Sequence, residues 1–205
     1  MDFEQVRQAY TSNADLYISL MGTSDQVDPA DLDFISRHLA HRPGPVLDLG
    51  CGPGHLTAYL RALGTDASGL DMVPEFIAHA RSAHPTVDYR LGSLANLDVP
   101  DHSVAGILAW FSLIHLPPDD LPAVLAGFHR AMAPGAPLVA GFFHGDFSPF
   151  DHRVVTAYRW PVDAFSDQLK LAGFTELERT ERPADGTHRP VAAIAASASA
   201  SASAS

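Results

Sequence analysis

Cys51 is the only cysteine and Lys170 the only lysine among 205 residues. A single thiol excludes an internal disulfide and any multi-cysteine zinc site. Basic side chains number 13 against 24 acidic ones, for a net charge of −11. No run of Lys and Arg interrupts that excess, so nucleic acid is not an expected partner, because phosphate binding needs clustered cations. No apolar run approaches the roughly 20 residues of a membrane-spanning helix. Residues 1–10 are polar and acidic, without the apolar core of a secretion signal. The expectation is a cytoplasmic chain with no membrane attachment. Arginine carries nearly all the positive charge and Ala, Pro and Asp are abundant, which reads as codon bias in a GC-rich genome.

What is present is an ordinary apolar fraction, 46%, in a chain long enough for one domain with a substantial core. The most informative stretch is Val46-Leu47-Asp48-Leu49-Gly50-Cys51-Gly52-Pro53-Gly54-His55. A short apolar run ends in an acid, then breaks into a turn with glycine at every second position. Leu56, Leu60 and Leu63 follow at helical spacing. This pattern predicts a buried strand, a tight loop and a helix. Glycine permits φ > 0 and lets a ligand approach the bare backbone, and the helix start supplies free N–H groups and partial positive charge. Such crevices lie at the carboxyl ends of parallel strands.

Strands are predicted at 46–49, 66–70, 86–90, 104–109, 136–143, 174–181 and 188–195. Helices are predicted at 3–20, 28–39, 55–63, 74–83, 119–132 and 162–171. Asp28-Pro29-Ala30-Asp31 is a helix start, with an N-capping acid and an early proline. This alternation predicts an α/β fold with a doubly wound, mostly parallel, Rossmann-like sheet. Residues 1–196 read as a single domain, in which 145–160 form an irregular loop long enough to be a lid or binding loop. Residues 197–205 alternate Ala and Ser and read as a low-complexity tail. If ordered, their period of two would extend the last strand.

The glycine spacing is G-x-G-x-G, not the G-x-G-x-x-G of dinucleotide folds. With Asp48 before it, the loop resembles the first motif of the class I S-adenosylmethionine-dependent methyltransferases, of the kind that act on small molecules. Gly69-Leu70-Asp71 resembles the family's second acidic strand end. The segments at 91–97, 107–112, 130–135 and Leu171-Ala172-Gly173-Phe174 fall in the family's order, so the match runs from about Tyr10 to Ala195. The resemblance implies seven strands with an antiparallel last strand, and an N-terminal helical lid within residues 1–41.

It also implies S-adenosylmethionine as cofactor. The backbone at Gly50, Cys51, Gly52 and Gly54 would hold its methionine and ribose portions. Asp48 would attract the amino group, or else brace the loop. Asp71 would accept from the ribose hydroxyls, or cap the helix at Pro74, and the two roles can coexist. Met72 would pack on adenine or in the core. Ser93 and Leu94 are candidates for the adenine edge, although many relatives place an acid where Ser93 stands. Trp110 and Phe111 follow the fourth strand, where the family lines its cofactor pocket, and Trp110 would flank the ligand or pack in the core. Tyr10 and Tyr17 would close a lid or pack on the sheet.

The implied reaction is in-line displacement of a sulfonium methyl by an O, N, S or C atom of a small-molecule acceptor, with alignment as the protein's main contribution. His144 and His115, both after strand ends, are the candidate bases. His144, Asp146, Asp151 and His152 make a loose metal-ligand pattern, but no metal is expected. Phe142, Phe143, Phe147, Phe150, Tyr158 and Trp160 suggest an aromatic acceptor pocket. Arg153 or Arg159 would bind an acceptor carboxylate or be solvated surface. Two other functions fit less well. A nucleotide-dependent oxidoreductase is disfavoured by the glycine spacing and by Ser166, not tyrosine, four residues before Lys170. A catalytically silent cofactor-binding subunit is not distinguished by sequence, and oligomeric state is equally open.

Overall fold

Ile107, Leu108, Leu138 and Val139 are fully buried neighbours on two strands, and their alternation explains the layered fold built around them. A computed structural model describes residues 3–186 and 188–200. The N-terminal helices are α1 (Phe3–Thr11), α2 (Ala14–Met21) and α3 (Pro29–Leu39). Then come β1 (Val46–Leu49), α4 (His55–Ala62), β2 (Ala67–Asp71), α5 (Pro74–Ala83), β3 (Tyr89–Leu91), β4 (Gly106–Trp110) and α6 (Leu121–Ala131). The rest is β5 (Pro137–Phe143), β6 (Ser148–Phe150), β7 (Ala157–Arg159), α7 (Val162–Leu171), β8 (Phe174–Arg182) and β9 (Val191–Ala198).

Seven strands form one sheet in the order β3-β2-β1-β4-β5-β9-β8. β3 through β5 pair in parallel. The last strand, β9, runs antiparallel to both β5 and β8. Successive side chains of a strand face opposite sides of the sheet, so each inner strand feeds two cores. Ile107, Ala109, Leu138 and Ala140 pack with Leu125 and Phe128 of α6 and Phe165 and Leu169 of α7. Leu108 and Val139 pack with Phe34, Ile35 and Leu39 of α3 and Leu56 and Leu60 of α4. Helices on both faces keep the inner strands apolar on each side.

Three local readings change. The single helix predicted over 3–20 is two, α1 and α2. Ser12 Oγ and Asn13 Nδ2 donate to the carbonyls of Gln8 and Ala9, and such side-chain bonds compete with helix continuation. The loop predicted over 145–160 contains the antiparallel hairpin β6–β7. Its strands of three residues each are too short to show a period. β9 passes the expected domain end at 196: Ser197 pairs with Pro137 and Ala198 with Phe174. Residues 201–205 of the Ala/Ser tail lie outside the described residues. Among the described residues, no helix is long and apolar enough to cross a membrane.

Candidate cofactor cleft

A cleft of about 700 Å³, open solvent included, lies at the carboxyl ends of β1, β2 and β4. Its floor is the glycine loop. The φ angles of Gly50, Gly52 and Gly54 are 75°, 53° and 87°, a region that L side chains reach only at a cost. Space forbids side chains at two of them. A Cβ on Gly50 would meet Ser112 Cβ at 2.4 Å, and one on Gly54 would meet the Tyr89 ring at 2.7 Å. At Gly52 the nearest atom would be Tyr17 Cε1 at 3.7 Å, so this bare backbone faces the cleft.

Two carboxylates hold the loop. Asp48 is 2% exposed and accepts from Thr57 Oγ1 at 2.6 Å, which ties β1 to α4 beneath the loop. Burial pushes its pKa up to about 7. Asp71 ends β2 and accepts from Gly52 N at 2.8 Å and Val73 N at 2.9 Å. Burial pushes it up to about 6, while those backbone N–H groups oppose the rise. The bond to Val73 closes the turn before Pro74 but reaches no N–H of α5, whose N-cap position is Val73, so Asp71 does not make the expected helix cap; it lines the cleft.

The N-terminal helices form the other wall. Tyr10 and Tyr17 pack edge-on at 5.6 Å, and both rest on Phe76 of α5. Burial pushes Tyr17 up to about 12 and Tyr10 well above its ordinary value, so both hydroxyls stay protonated. Tyr10 Oη lies 2.8 Å from His115 Nε2, and His115 Nδ1 lies 2.8 Å from the Thr156 carbonyl. A carbonyl only accepts, so we assign the imidazole proton to Nδ1, and Nε2 accepts from Tyr10. Burial lowers the His115 pKa, which favours this neutral form.

Of the residues expected to hold a cofactor, Gly50, Gly52, Asp71, Met72, Ser93, Leu94, Trp110, Tyr10 and Tyr17 line the cleft. Asp48, Cys51 and Gly54 stand behind the lining and shape it. The Cys51 side chain packs with Ile77, Ala80 and Tyr89, while Cys51 N donates to Leu70 O. Ser93 Oγ accepts from Ala95 N at 3.3 Å. Of the two candidate bases, His115 lines the cleft and His144 does not. Nδ1 of His144 lies 3.3 Å from Trp160 O, and Nε2 lies 3.3 Å from Glu181. Phe143, one residue earlier, takes the inward side against Phe111.

The loose metal pattern is dispersed: His152 meets His115 edge-on while His144 lies by Glu181. Among the described residues, no three His, Cys, Asp or Glu side chains gather around one point. Of the expected acceptor-pocket aromatics, Phe142 is core against Phe165. Phe147 stacks with Tyr158 and meets Trp160 edge-on.

Phe111, expected beside the pocket after the fourth strand, lines the cleft, and so does Ser112, which sequence reasoning missed. Phe111 has φ 53°, an uncommon conformation for a bulky residue and one that clusters at functional sites. It turns the chain after β4 and leaves Ser112 Oγ buried beside Gly50 with no hydrogen-bond partner among the described residues. Phe76 of α5 also lines the cleft and was not named from the sequence.

Taken together, the cleft offers one buried carboxylate with a second beneath its floor, a bare glycine backbone, a hydroxyl without a partner among the described residues, and aromatic walls. These suit a ligand bearing cationic groups, hydroxyl donors and a flat ring. The fold and this cleft define a Rossmann-like α/β protein of methyltransferase architecture. Residues 46–135 match the family described as "Methyltransferase domain". A curated relative, malonyl-[acyl-carrier protein] O-methyltransferase of Pectobacterium atrosepticum, is 35% identical over 47% of this chain and 37% of its own length. Ubiquinone biosynthesis O-methyltransferase of Xylella fastidiosa is 30% identical over 64% of this chain and 54% of its own length. The chain thus spans about a third to a half of these relatives. Among solved structures, the 1,6-didemethyltoxoflavin-N1-methyltransferase of Burkholderia thailandensis, with 1,6-didemethyltoxoflavin and S-adenosylhomocysteine bound, superposes with a TM-score of 0.78. It is 21% identical, and the match covers 96% of this chain and 88% of that one. Residues 46–135 are thus similar to a methyltransferase domain, and the whole fold is similar to that of a solved methyltransferase.

Proposed function

We propose that this chain binds S-adenosylmethionine in the Gly50–Asp71 cleft and catalyses methyl transfer to an O, N, S or C nucleophile of a small molecule. The observation that carries the reading is Asp71, a buried carboxylate that ends β2, grips the Gly52 N–H and lines the cleft. The names of the two curated relatives described above, both O-methyltransferases, support it. The acidic surface argues against nucleic acid as acceptor.

The cofactor supplies an electrophilic methyl on a good leaving group. The chain supplies the rest. Asp71 accepts from hydroxyl groups of the ligand through its remaining lone pairs. Asp48, under the loop, favours positive charge above it. Trp110, Leu94 and Met72 present apolar surface to a flat ring, and Ser112 Oγ gains a partner. Tyr10 and Tyr17 cover the cleft and exclude water. Alignment of this kind contributes the largest share of rate in a displacement that needs no activation of its leaving group. Where the acceptor must lose a proton, His115 Nε2 takes it through Tyr10. The acceptor's proton passes to Tyr10 Oη as the Tyr10 hydroxyl proton passes to Nε2.

The test is incubation of the purified chain with methyl-labelled S-adenosylmethionine and a panel of phenols, amines, thiols and carboxylic acids. Acceptor-dependent formation of S-adenosylhomocysteine is expected. Cofactor binding with no turnover across the panel would overturn the catalytic reading and favour the silent cofactor-binding subunit.

A further inference from the structure

Opposite charges are distributed unevenly over this acidic chain. Of the 13 basic side chains, eight pair with a carboxylate: Lys170 and seven arginines. Two more, Arg42 and Arg81, donate to backbone carbonyls. The remaining three, Arg153, Arg159 and Arg189, have no carboxylate partner among the described residues, and they gather in one place.

That place is the β6–β7 hairpin and the turn before β9. The Arg159 guanidinium carbon lies 4.3 Å from the centroid of the Phe150 ring, and that of Arg189 lies 4.8 Å from the same centroid. The two guanidinium carbons are therefore within about 9 Å of each other. Arg153 adjoins His152, whose ring contacts Phe150 at 6.2 Å. His152 adds no compensating charge. Burial first, and then His115, Arg189 and Arg153, hold its pKa down to about 4. Arg159 has only a long contact, 3.4 Å, to Ser148 Oγ. Stacking on one ring fixes the two guanidinium groups and leaves their N–H forks free to donate.

The cluster is joined to the cleft by rings. Phe150 meets Phe143 at 5.2 Å, and Phe143 meets Phe111, a cleft-lining residue, at 5.2 Å. The guanidinium of Arg159 thus lies no more than about 15 Å from the Phe111 ring. The hairpin is pinned at this distance by Tyr158 N, which donates to Ile114 O, and by His115 Nδ1 on Thr156 O. An anion approaching a chain of net charge −11 is repelled broadly, and cations without a carboxylate partner among the described residues provide a local exception.

We propose that Arg159 and Arg189, stacked on Phe150, anchor a carboxylate or phosphate group on the molecule this chain methylates, at the end remote from the methylated atom. That the anion belongs to the methyl acceptor rests on the methyltransferase reading. The anion site itself does not.

The test uses the full chain and three probes of one shape: benzoate, phenyl phosphate and the neutral benzamide. Binding is read from the arginine Nε–Hε resonances at constant ionic strength, in wild type, in the double variant R159Q/R189Q and in R159K/R189K. S-adenosylmethionine is titrated separately into each. The expected result is saturable binding of benzoate or phenyl phosphate, none of benzamide, at least a tenfold loss in R159Q/R189Q and partial recovery in R159K/R189K. Whichever anion binds more tightly distinguishes a carboxylate from a phosphate. Equal binding of benzamide, equal anion binding in R159Q/R189Q, or no anion binding in wild type would overturn the proposal. S-adenosylmethionine binding without anion binding would sink this inference alone. Anion binding without S-adenosylmethionine binding would sink the methyltransferase reading and leave the anion site standing.

Discussion

Tyr10 Oη donates to His115 Nε2 across 2.8 Å, although 105 residues separate the two in the chain. This bond fastens the first helix to the loop after β4, and so closes one wall of the cleft. Tyr10→Phe removes the donor and leaves the buried Nε2 unsatisfied. A loss of about 1–3 kcal/mol in stability follows, read as a lower urea midpoint. Cofactor affinity falls with it, because the wall loosens.

The glycines separate by role. Gly54→Ala drives a methyl into the Tyr89 ring at 2.7 Å, at φ 87°, and is expected to lower the melting temperature sharply. Gly52→Ala meets nothing closer than 3.7 Å, so its stability cost is confined to the left-handed backbone, about 1–2 kcal/mol. Its methyl projects into the cleft, and cofactor binding falls at least tenfold. Calorimetry and thermal melting on the pair check the contrast. Equal effects on both readouts would contradict it.

Ser112 Oγ is buried without a hydrogen-bond partner among the described residues. Ser112→Ala therefore leaves the urea midpoint of the free protein unchanged or slightly higher. If the hydroxyl bonds the cofactor, affinity drops by about 0.5–1.5 kcal/mol, a few-fold to about tenfold in Kd. An unchanged Kd would show that this hydroxyl is idle.

Burial raises the Asp48 pKa from its ordinary value near 3.8 to about 7. The folded state then binds the proton more tightly than the unfolded chain does. The stability tied to that proton is fully present below about pH 4 and is lost as pH rises through about 7. Asp48→Asn keeps an acceptor for Thr57 and removes the charge. Its stability relative to wild type should therefore climb between pH 4 and pH 8, by up to a few kcal/mol on the order implied by such a shift. His55, held down to about 4 by burial, acts in the opposite sense as pH falls from its ordinary range. The difference between variant and wild type cancels it. A flat difference across that range would contradict the account.

The sequence carried most of the fold because its signals are local. Asp28 and Pro29 mark α3, and the glycine loop after Val46-Leu47-Asp48-Leu49 marks the first β–α turn. Asp71 was legible because an acid at a strand end, at a set distance from the loop, has few other uses. The misses share a cause as well. No residue type announces that Phe111 adopts φ 53°, so Ser112 could not be placed beneath Gly50. The strand-end argument treated His115 and His144 alike, but a strand sends neighbours to opposite faces, and Phe143 takes the inward one. Arg153 and Arg159 were legible as carboxylate candidates, but Arg189 lies 30 residues beyond Arg159 in the chain, and only the folded hairpin and turn bring it to the same ring as Arg159.

Calorimetric titration of S-adenosylmethionine into wild type and Asp71→Ala, with NAD as the control ligand, tests the central claim most directly. Saturable binding of S-adenosylmethionine to wild type, at least tenfold weaker in a folded Asp71→Ala, with no heat from NAD, is the predicted result. No S-adenosylmethionine binding by wild type, or NAD binding in its place, would contradict it.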